Sequence, residues 1–522
     1  MSFRSDRDMD TPRNIESAGE PDAGARKKSG SRGARRTRDG HPDIEPAAAV
    51  PAEPCKVAKF GGSSVATAAR IKNVADIIQK DPARRFVVVS APGKADAGDE
   101  KITDLLIQCA RNRLAGGEPG APLERIRARY TDICRELELP PATIRRVLKE
   151  LDTVVAGDTS HGSAYKDALK AMGEEMMAQI LADYLRDVRK APAQYVGPRD
   201  AGLVVSEEFG DAFPLPEAAK NLETNLAGRP GITIFPGFYG ITPKGQVATF
   251  SRGGSDLTGA IVAEAVDADV YENWTDVDGI LRADPSIVPG AEIIHEITYR
   301  EIRELAYMGF KVLHHDAIMP VRRKHIPINL RNTNNVDFPG SLIVDSRIAL
   351  AEILVGVAMK KSFCCFNVEK YLMNREVGFG RRLLGILEDF HLSFEHMPSG
   401  IDSVSVYLDQ SQLQGDMSSQ IIRRIYRELG ADKVDVEHDK AMVIAVGEGM
   451  KRHMGVAARL VNALARSKIN IEVINQGASE LSILFGVRDE DGEPAVRAIY
   501  DAFFGAGRNG EAETNGERHH KR

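Results

Sequence analysis

Lys59-Phe60-Gly61-Gly62-Ser63-Ser64-Val65 sets a lysine, two glycines and two hydroxyls where an apolar run, KVAKF, gives way to a helical pattern. Glycines let the backbone approach a phosphate closely, the first amides of a helix point at it, and a lysine neutralises its charge. Further along, VATFSRGGSDLTGAIVAEAV repeats the construction: a strand, then Ser251-Arg252-Gly253-Gly254-Ser255-Asp256, then a helix. Its arginine offers a planar fork suited to a carboxylate. Neither loop has the P-loop spacing or the G-x-G-x-x-G of dinucleotide folds. Two such anion-binding loops in one chain point to phosphoryl chemistry. A third segment, WTDVDGILRADP (Trp274 to Pro285), gathers turn formers and acidic groups behind another strand pattern.

These loops need a frame. Between Cys55 and about Asp345, short β-branched runs (KVAKF, RFVVVSA, GITIF, QVATF, ADVYENW, IPINL) alternate with helical stretches, among them Ser64 to Lys80 and Lys101 to Leu114. The pattern predicts an α/β domain with a mostly parallel sheet, its ligands at the strand C-termini and helix N-termini. The last third repeats itself. Gly378 to Met397 aligns with Gly455 to Ile474 at a constant offset, matching Gly378/Gly455, Arg382/Arg459, Leu383/Leu460, Leu387/Leu464 and Glu395/Glu472. Each copy reads as a strand, a glycine loop, an amphipathic helix, a strand (LSFEHM, INIEVI), a turn and another strand, the parts of a small α+β sandwich.

Composition narrows the class. The 522 residues carry 69 Lys+Arg against 75 Asp+Glu, a net charge of -6, so no global field draws the chain to nucleic acid or to an anionic membrane. Five cysteines without a C-x-x-C pair argue against a disulfide framework and a zinc site. No apolar run approaches membrane-spanning length and no secretory core opens the chain, so a cytoplasmic protein is expected. Residues 1–54, with ten basic and ten acidic side chains and few large apolar ones, read as a disordered extension. Its basic run Arg26 to Arg38 reads as a solvated tail, and residues 506–522 as a flexible end.

Together the K-F-G-G-S-S-V, S-R-G-G-S-D, T-D-V-x-G-I and G-x-K-V-L-H segments, in that order, resemble the aspartate kinases of the amino-acid kinase superfamily, from Cys55 to Phe504. The resemblance implies a three-layer α/β/α kinase domain over residues 55–345 and two ferredoxin-like ACT domains over 352–430 and 431–505. It implies transfer of phosphate from MgATP to the β-carboxylate of L-aspartate. By the same resemblance Lys59, Gly61, Gly62, Ser63 and Lys311 meet the phosphates, and Thr275, Asp276 and Arg282 contact the nucleotide. Arg252, Ser255 and Thr103 meet the substrate, and Glu174 receives its ammonium group. Aspartate's carboxylate is already an anion at neutral pH, so no general base is needed. Asp256 is therefore assigned an orienting role, or one in holding Mg²⁺ through water. No dedicated protein metal site is expected, and the pair His314-His315 reads as a helix-end pair contacting backbone. Leu281 and Ser286 depart from the family's aromatic and basic residues. Met373, Gly378, Phe379, Glu395 and Asp402 are expected to bind a feedback effector, lysine or threonine or both, in a homodimer or higher homo-oligomer. Two alternatives stay open: a related kinase acting on glutamate or acetylglutamate, and an ACT-based amino-acid sensor with weak activity.

Overall fold

A computed structural model describes residues 54–251, 253–310, 317–347 and 352–505. The expectations for the N-terminal extension with its basic run, the C-terminal tail, Arg252, Lys311 and His314-His315 fall outside the described residues. The first part of the chain runs β1 (Lys56–Phe60), α1 (Ala68–Lys80), β2 (Arg84–Val89), α2 (Ile102–Leu114), α3 (Ala121–Glu136), α4 (Pro141–Val155), α5 (Gly162–Asp183), β3 (Ala193–Tyr195), α6 (Pro198–Ala201) and α7 (Pro216–Leu226). It continues through β4 (Ile232–Pro236), β5 (Tyr239–Ile241), β6 (Val247–Thr249), α8 (Gly254–Ala265), β7 (Val270–Thr275), β8 (Ile280–Leu281), β9 (Ile293–Ile294), β10 (Glu296–Thr298), α9 (Tyr299–Tyr307), α10 (Ile318–Arg323), β11 (Ile328–Asn332) and β12 (Ser341–Val344).

Eight of these strands form one sheet in the order β10-β12-β11-β7-β1-β2-β4-β3. Only the β11–β12 pair is antiparallel. The central strands are buried on both faces, which is why they read as nearly unbroken apolar runs. Alternation sorts their side chains into two layers. Val57, Val88, Phe235 and Tyr271 pack with α7 and α8 on one face, and Ala58, Phe60, Val87, Val89 and Trp274 pack with α1, α2 and α5 on the other. This is the expected three-layer sandwich. By the same alternation Lys59 follows Val57 onto the α8 face.

Two local expectations change. The helix expected from Ser64 opens as a 3-10 turn over Gly62–Val65, and α1 starts afresh after Thr67, whose hydroxyl accepts the Arg70 N–H and so caps a new helix. The QVATF strand, β6, pairs with β5 in a separate two-stranded ribbon.

The C-terminal part comprises β13 (Gly356–Glu369), α11 (Phe379–Asp389), β14 (Ser403–Asp409), α12 (Met417–Leu429), β15 (Lys433–Val446), α13 (Val456–Arg466), β16 (Val473–Gln476), β17 (Ser482–Arg488) and α14 (Gly492–Phe504). Its strands make a single antiparallel sheet, β14-β13-β15-β17-β16. The two repeat units are nested in it rather than consecutive, which corrects the boundary drawn at 430/431. Phe363 to Glu369 of β13 pair with β14, while Gly356 to Lys360 pair only with the C-terminal half of β15, the half that meets β17. Ser362 and Asp439, both at positive φ, break β13 and β15 where one unit passes into the other. The second unit thus takes a strand that precedes the first. A repeat search aligns the shared glycine loop and helix and has no signal for a strand donated from so far upstream. In the first unit, LSFEHM does not form the expected strand: His396 and Ser399 make only single bridges to Tyr407 and Val404. Pro398 lacks the N–H needed to extend a ladder there.

Candidate active site

The C-terminal ends of β1, β2, β4 and β7 converge, as the strand order requires. β1 and β7 run parallel with Lys59 opposite Asn273, so both side chains face α8. Asp256, in the first turn of α8, completes the group. Lys59 Nζ lies 2.5 Å from Asp256 Oδ1, and both side chains are largely shielded from solvent. Gly253, at φ 78°, turns the chain into α8 and sets Asp256 there. The Tyr271 hydroxyl donates to the Asp256 carbonyl at 3.0 Å and ties that turn to β7.

The first glycine loop packs backbone against backbone. A Cβ on Gly62 would stand 2.8 Å from the Ala91 carbonyl, and the Gly93 N–H donates to the Gly62 carbonyl at 2.8 Å. The Gly61 N–H is taken by the Trp274 carbonyl, so Gly61 serves by close approach: a Cβ there would touch Lys59 Nζ at 3.5 Å. Two arginines that the sequence reading did not single out staple this loop to the next. Arg70 donates to the carbonyls of Ser63 and Lys94, and Arg129 to those of Ala66, Gly93 and Glu100.

Glu174 sits across the sheet on α5. Gly173 brings it there, since a Cβ on that residue would stand 2.6 Å from Ala91 Cβ, with Ile102 and Leu106 of α2 close behind. Thr103 therefore occupies the first turn of the helix packed beside Glu174. Burial pushes the Glu174 carboxyl up to about 8, against the opposing pull of the Ala91 N–H and, one turn away, Lys170. Its Oε2 is buried without a hydrogen-bond partner among the described residues. Lys170 is held by Asp167 at 2.9 Å and lies over the Phe238 ring. Phe238 itself has φ 78°, a strained conformation for a bulky residue, and is fixed by its N–H to Thr258 Oγ1 at 3.0 Å. Ser255 is buried against Gly237, beside this turn.

At the end of β7, Thr275 Oγ1 donates to Asp276, and the Thr275 carbonyl accepts from the Thr333 N–H and hydroxyl, which also meets Ser64. Arg282 departs from its expected place. Its guanidinium pairs with Glu352 and Glu292 and stacks on Phe504, turned toward the C-terminal sheet, so it is a structural cation and its assignment to the nucleotide is corrected.

Residues 54–332 match the amino acid kinase family and residues 443–503 match the ACT domain. Aspartokinase 3 of Bacillus subtilis is 46% identical over 449 residues, covering 86% of this chain and 98% of its own. The chain belongs to the aspartate kinases. The crystal structure of Clostridium acetobutylicum aspartate kinase superposes with a TM-score of 0.76 at 39% identity, over 86% of this chain and 100% of that one. Escherichia coli aspartokinase III, solved with aspartate and ADP and again with lysine and aspartate, gives 0.67 at 30% identity over 86% of this chain, and over 100% and 99% of those two.

In this aspartate kinase the two departures from the family pattern do structural work. Leu281 packs against the apolar cluster of the second ACT unit, and Ser286 caps a turn through Asp284 Oδ1. In the first ACT unit the two loops expected to hold an effector meet. Asn374 N–H donates to the Ile401 carbonyl, and Leu372 N–H to Asp402 Oδ1 at 2.8 Å. Gly378, at φ 80°, opens α11, while Met373 and Phe379 are buried beneath it. The repeated glutamates differ. Glu472 is paired with Lys440 at 2.8 Å, whereas Phe363 stands at the equivalent position of the first unit and Glu395 Oε2 has no partner. Burial, with Asp409 nearby, raises the Glu395 carboxyl. Among the described residues no helix is long and apolar enough to cross a membrane.

Proposed function

We propose that this aspartate kinase binds ATP with its phosphates on the Gly61-Gly62-Ser63 loop beside Lys59, and L-aspartate between that loop and Glu174. The observation that carries this reading is the Lys59–Asp256 pair at the mouth of a glycine loop too close-packed for any side chain at Gly62. An aspartate β-carboxylate oxygen forms a bond to the γ-phosphorus as the bond from that phosphorus to the β,γ-bridging oxygen breaks, and ADP leaves with the electron pair. Lys59 offsets charge on the transferring phosphoryl group, Glu174 takes the ammonium, and Asp256 orients the lysine. Thr103 and Ser255 line the substrate side, and Thr275 with Asp276 the nucleotide side. Arg252 and Lys311 join these groups as the grip on the substrate carboxylate and a second phosphate cation.

No group of three or more His, Cys, Asp or Glu among the described residues could cage a metal ion. Asp256 is the acid that would hold a nucleotide-borne Mg²⁺ through water, and the ion would supply charge neutralisation at the phosphates. The test of the substrate is acyl phosphate trapped as its hydroxamate with L-aspartate, L-glutamate and N-acetyl-L-glutamate in parallel. Aspartate should give a signal at least ~10-fold above the others, and a stronger signal from either competitor would overturn the assignment.

We propose lysine or threonine or both as the feedback effector, bound by Met373, Gly378, Phe379, Glu395 and Asp402 in a homodimer. Glu395 supports this as a half-buried acid that lacks the lysine its repeat partner has. Support for the dimer comes from β16, beyond which no further strand lies among the described residues, and from Val377 and Ile401, exposed at 97% and 68% beside the effector loops. Inhibition assays on wild type and Glu395→Ala test the site: inhibition that survives the substitution unchanged would reject it.

A further inference from the structure

Asn273 is buried at 2% exposure in the middle of β7, a position where a parallel strand covered on both faces ordinarily carries an apolar side chain. A buried amide in such a strand needs partners for both its ends. Asn273 finds them in the two charged groups of the phosphate site. Its Nδ2 donates to Asp256 Oδ1 at 3.0 Å, and its Oδ1 accepts from Lys59 Nζ at 3.4 Å. The strand register makes this possible, because Lys59 and Asn273 are direct cross-strand neighbours on the same face. Asp256 Oδ1 thus accepts from Lys59 and from Asn273 at once.

Catalysis asks the lysine to turn its charge toward a phosphate while Asp256 stays in place. A buried carboxylate stripped of its cation is costly and would be prone to rotate after the lysine. The amide removes that difficulty. We propose that Asn273 is a positioning residue for phosphoryl transfer: it holds the Asp256 carboxylate through its N–H while Lys59 engages the phosphate, and guides the lysine through its carbonyl oxygen. The proposal rests on Lys59 being the phosphate lysine. Its effect belongs to the transition state, where phosphoryl charge is greatest, more than to substrate binding.

Three variants test it in the same assay across pH 6 to 9, with thermal unfolding as a check on the fold. Asn273→Leu keeps the branching at Cγ and removes both hydrogen bonds, so kcat should fall roughly 10- to 100-fold while KM for aspartate and for MgATP stays within about threefold. Asn273→Asp keeps the shape, so it should fold even where the leucine variant does not. As a carboxylate it repels Asp256 and holds the lysine back; once protonated it regains a donor and an acceptor and stands in for the amide. Its kcat relative to wild type should therefore climb as pH falls from 8 to 6. A ratio that stays flat, a kcat within twofold of wild type for either variant at pH 8, or a Leu variant that changes KM alone would overturn the proposal. Lys59→Ala, run alongside, separates the two ideas: if it keeps its turnover, the lysine assignment fails, and if it loses turnover while the Asn273 variants do not, only the role of Asn273 fails.

Discussion

Lys59 and Asp256 meet at 2.5 Å on the α8 face of the sheet, whereas Glu174, on the α5 face, is buried with one carboxylate oxygen that no described group satisfies. Asp256 and Glu174 are both acids shielded from water, yet among the described residues Asp256 alone is in contact with a cation. The nearest candidate for Glu174, Lys170, is drawn away by Asp167. On the proposed reading, the described part of the phosphate end already holds a cation and an acid in contact, whereas the ammonium end gains its positive charge from the substrate. On that reading, molecules that carry a carboxylate but no ammonium should bind more weakly than aspartate, because they leave the buried Glu174 carboxyl without the partner that favours its charged form.

The largest effect that could break this comparison comes from the phosphate end. Lys59→Ala should lower kcat by at least ~10², about 2.7 kcal/mol of transition-state stabilisation, in a steady-state assay at saturating substrates. Turnover close to wild type would mean that the pair is structural. At the other end, Glu174→Gln should raise KM for aspartate by ~10- to 100-fold with a smaller change in kcat, since a neutral amide meets the ammonium without charge. A kcat loss with unchanged KM would place Glu174 in the chemistry instead. Thr258→Val sharpens the comparison more gently. It removes the hydroxyl that fixes Phe238 between the two ends, and a rise in aspartate KM of roughly 2- to 5-fold is expected. An unchanged KM would show that the strained Phe238 turn needs no such support.

Much of this was legible in the residues. The apolar runs KVAKF and RFVVVSA announce strands buried on both faces, and the glycine pairs at 61–62 and 253–254 mark where strands deliver the chain to helices. Lys59, Asp256 and Glu174 carry recognisable chemistry, and the structure sets Lys59 against Asp256 where β1 ends and α8 begins, with Glu174 on α5 across the sheet. What stayed hidden depends on contacts between residues far apart in sequence. Asn273 looks like an odd polar residue in ENW until the β1–β7 register sets it against Lys59. Arg70 and Arg129 read as ordinary helix-surface charges until their guanidinium groups are seen on loop carbonyls. Arg282 misled for the mirror reason: a basic residue beside a segment expected to contact the nucleotide faces the ACT sheet, because Glu352 and Phe504 approach it from further along the chain. The nesting of the ACT units escaped detection because strand donation leaves no local periodicity.

The unpaired state of Glu174 has a thermodynamic consequence that can be measured directly. Burial favours its neutral form and sets its titration near 8, so at pH 7 the empty site is mostly protonated, and an arriving ammonium favours the carboxylate. Affinity for aspartate should therefore rise with pH, roughly tenfold per unit from 6 to about 8, and level off above. The decisive experiment is isothermal titration of aspartate at pH 7 in buffers of different ionisation enthalpy, for wild type and Glu174→Gln. Release of close to one proton per site by wild type and of none by the glutamine variant is the predicted result. Binding by wild type without proton release would contradict the claim that Glu174 waits, uncharged, for the substrate's ammonium group.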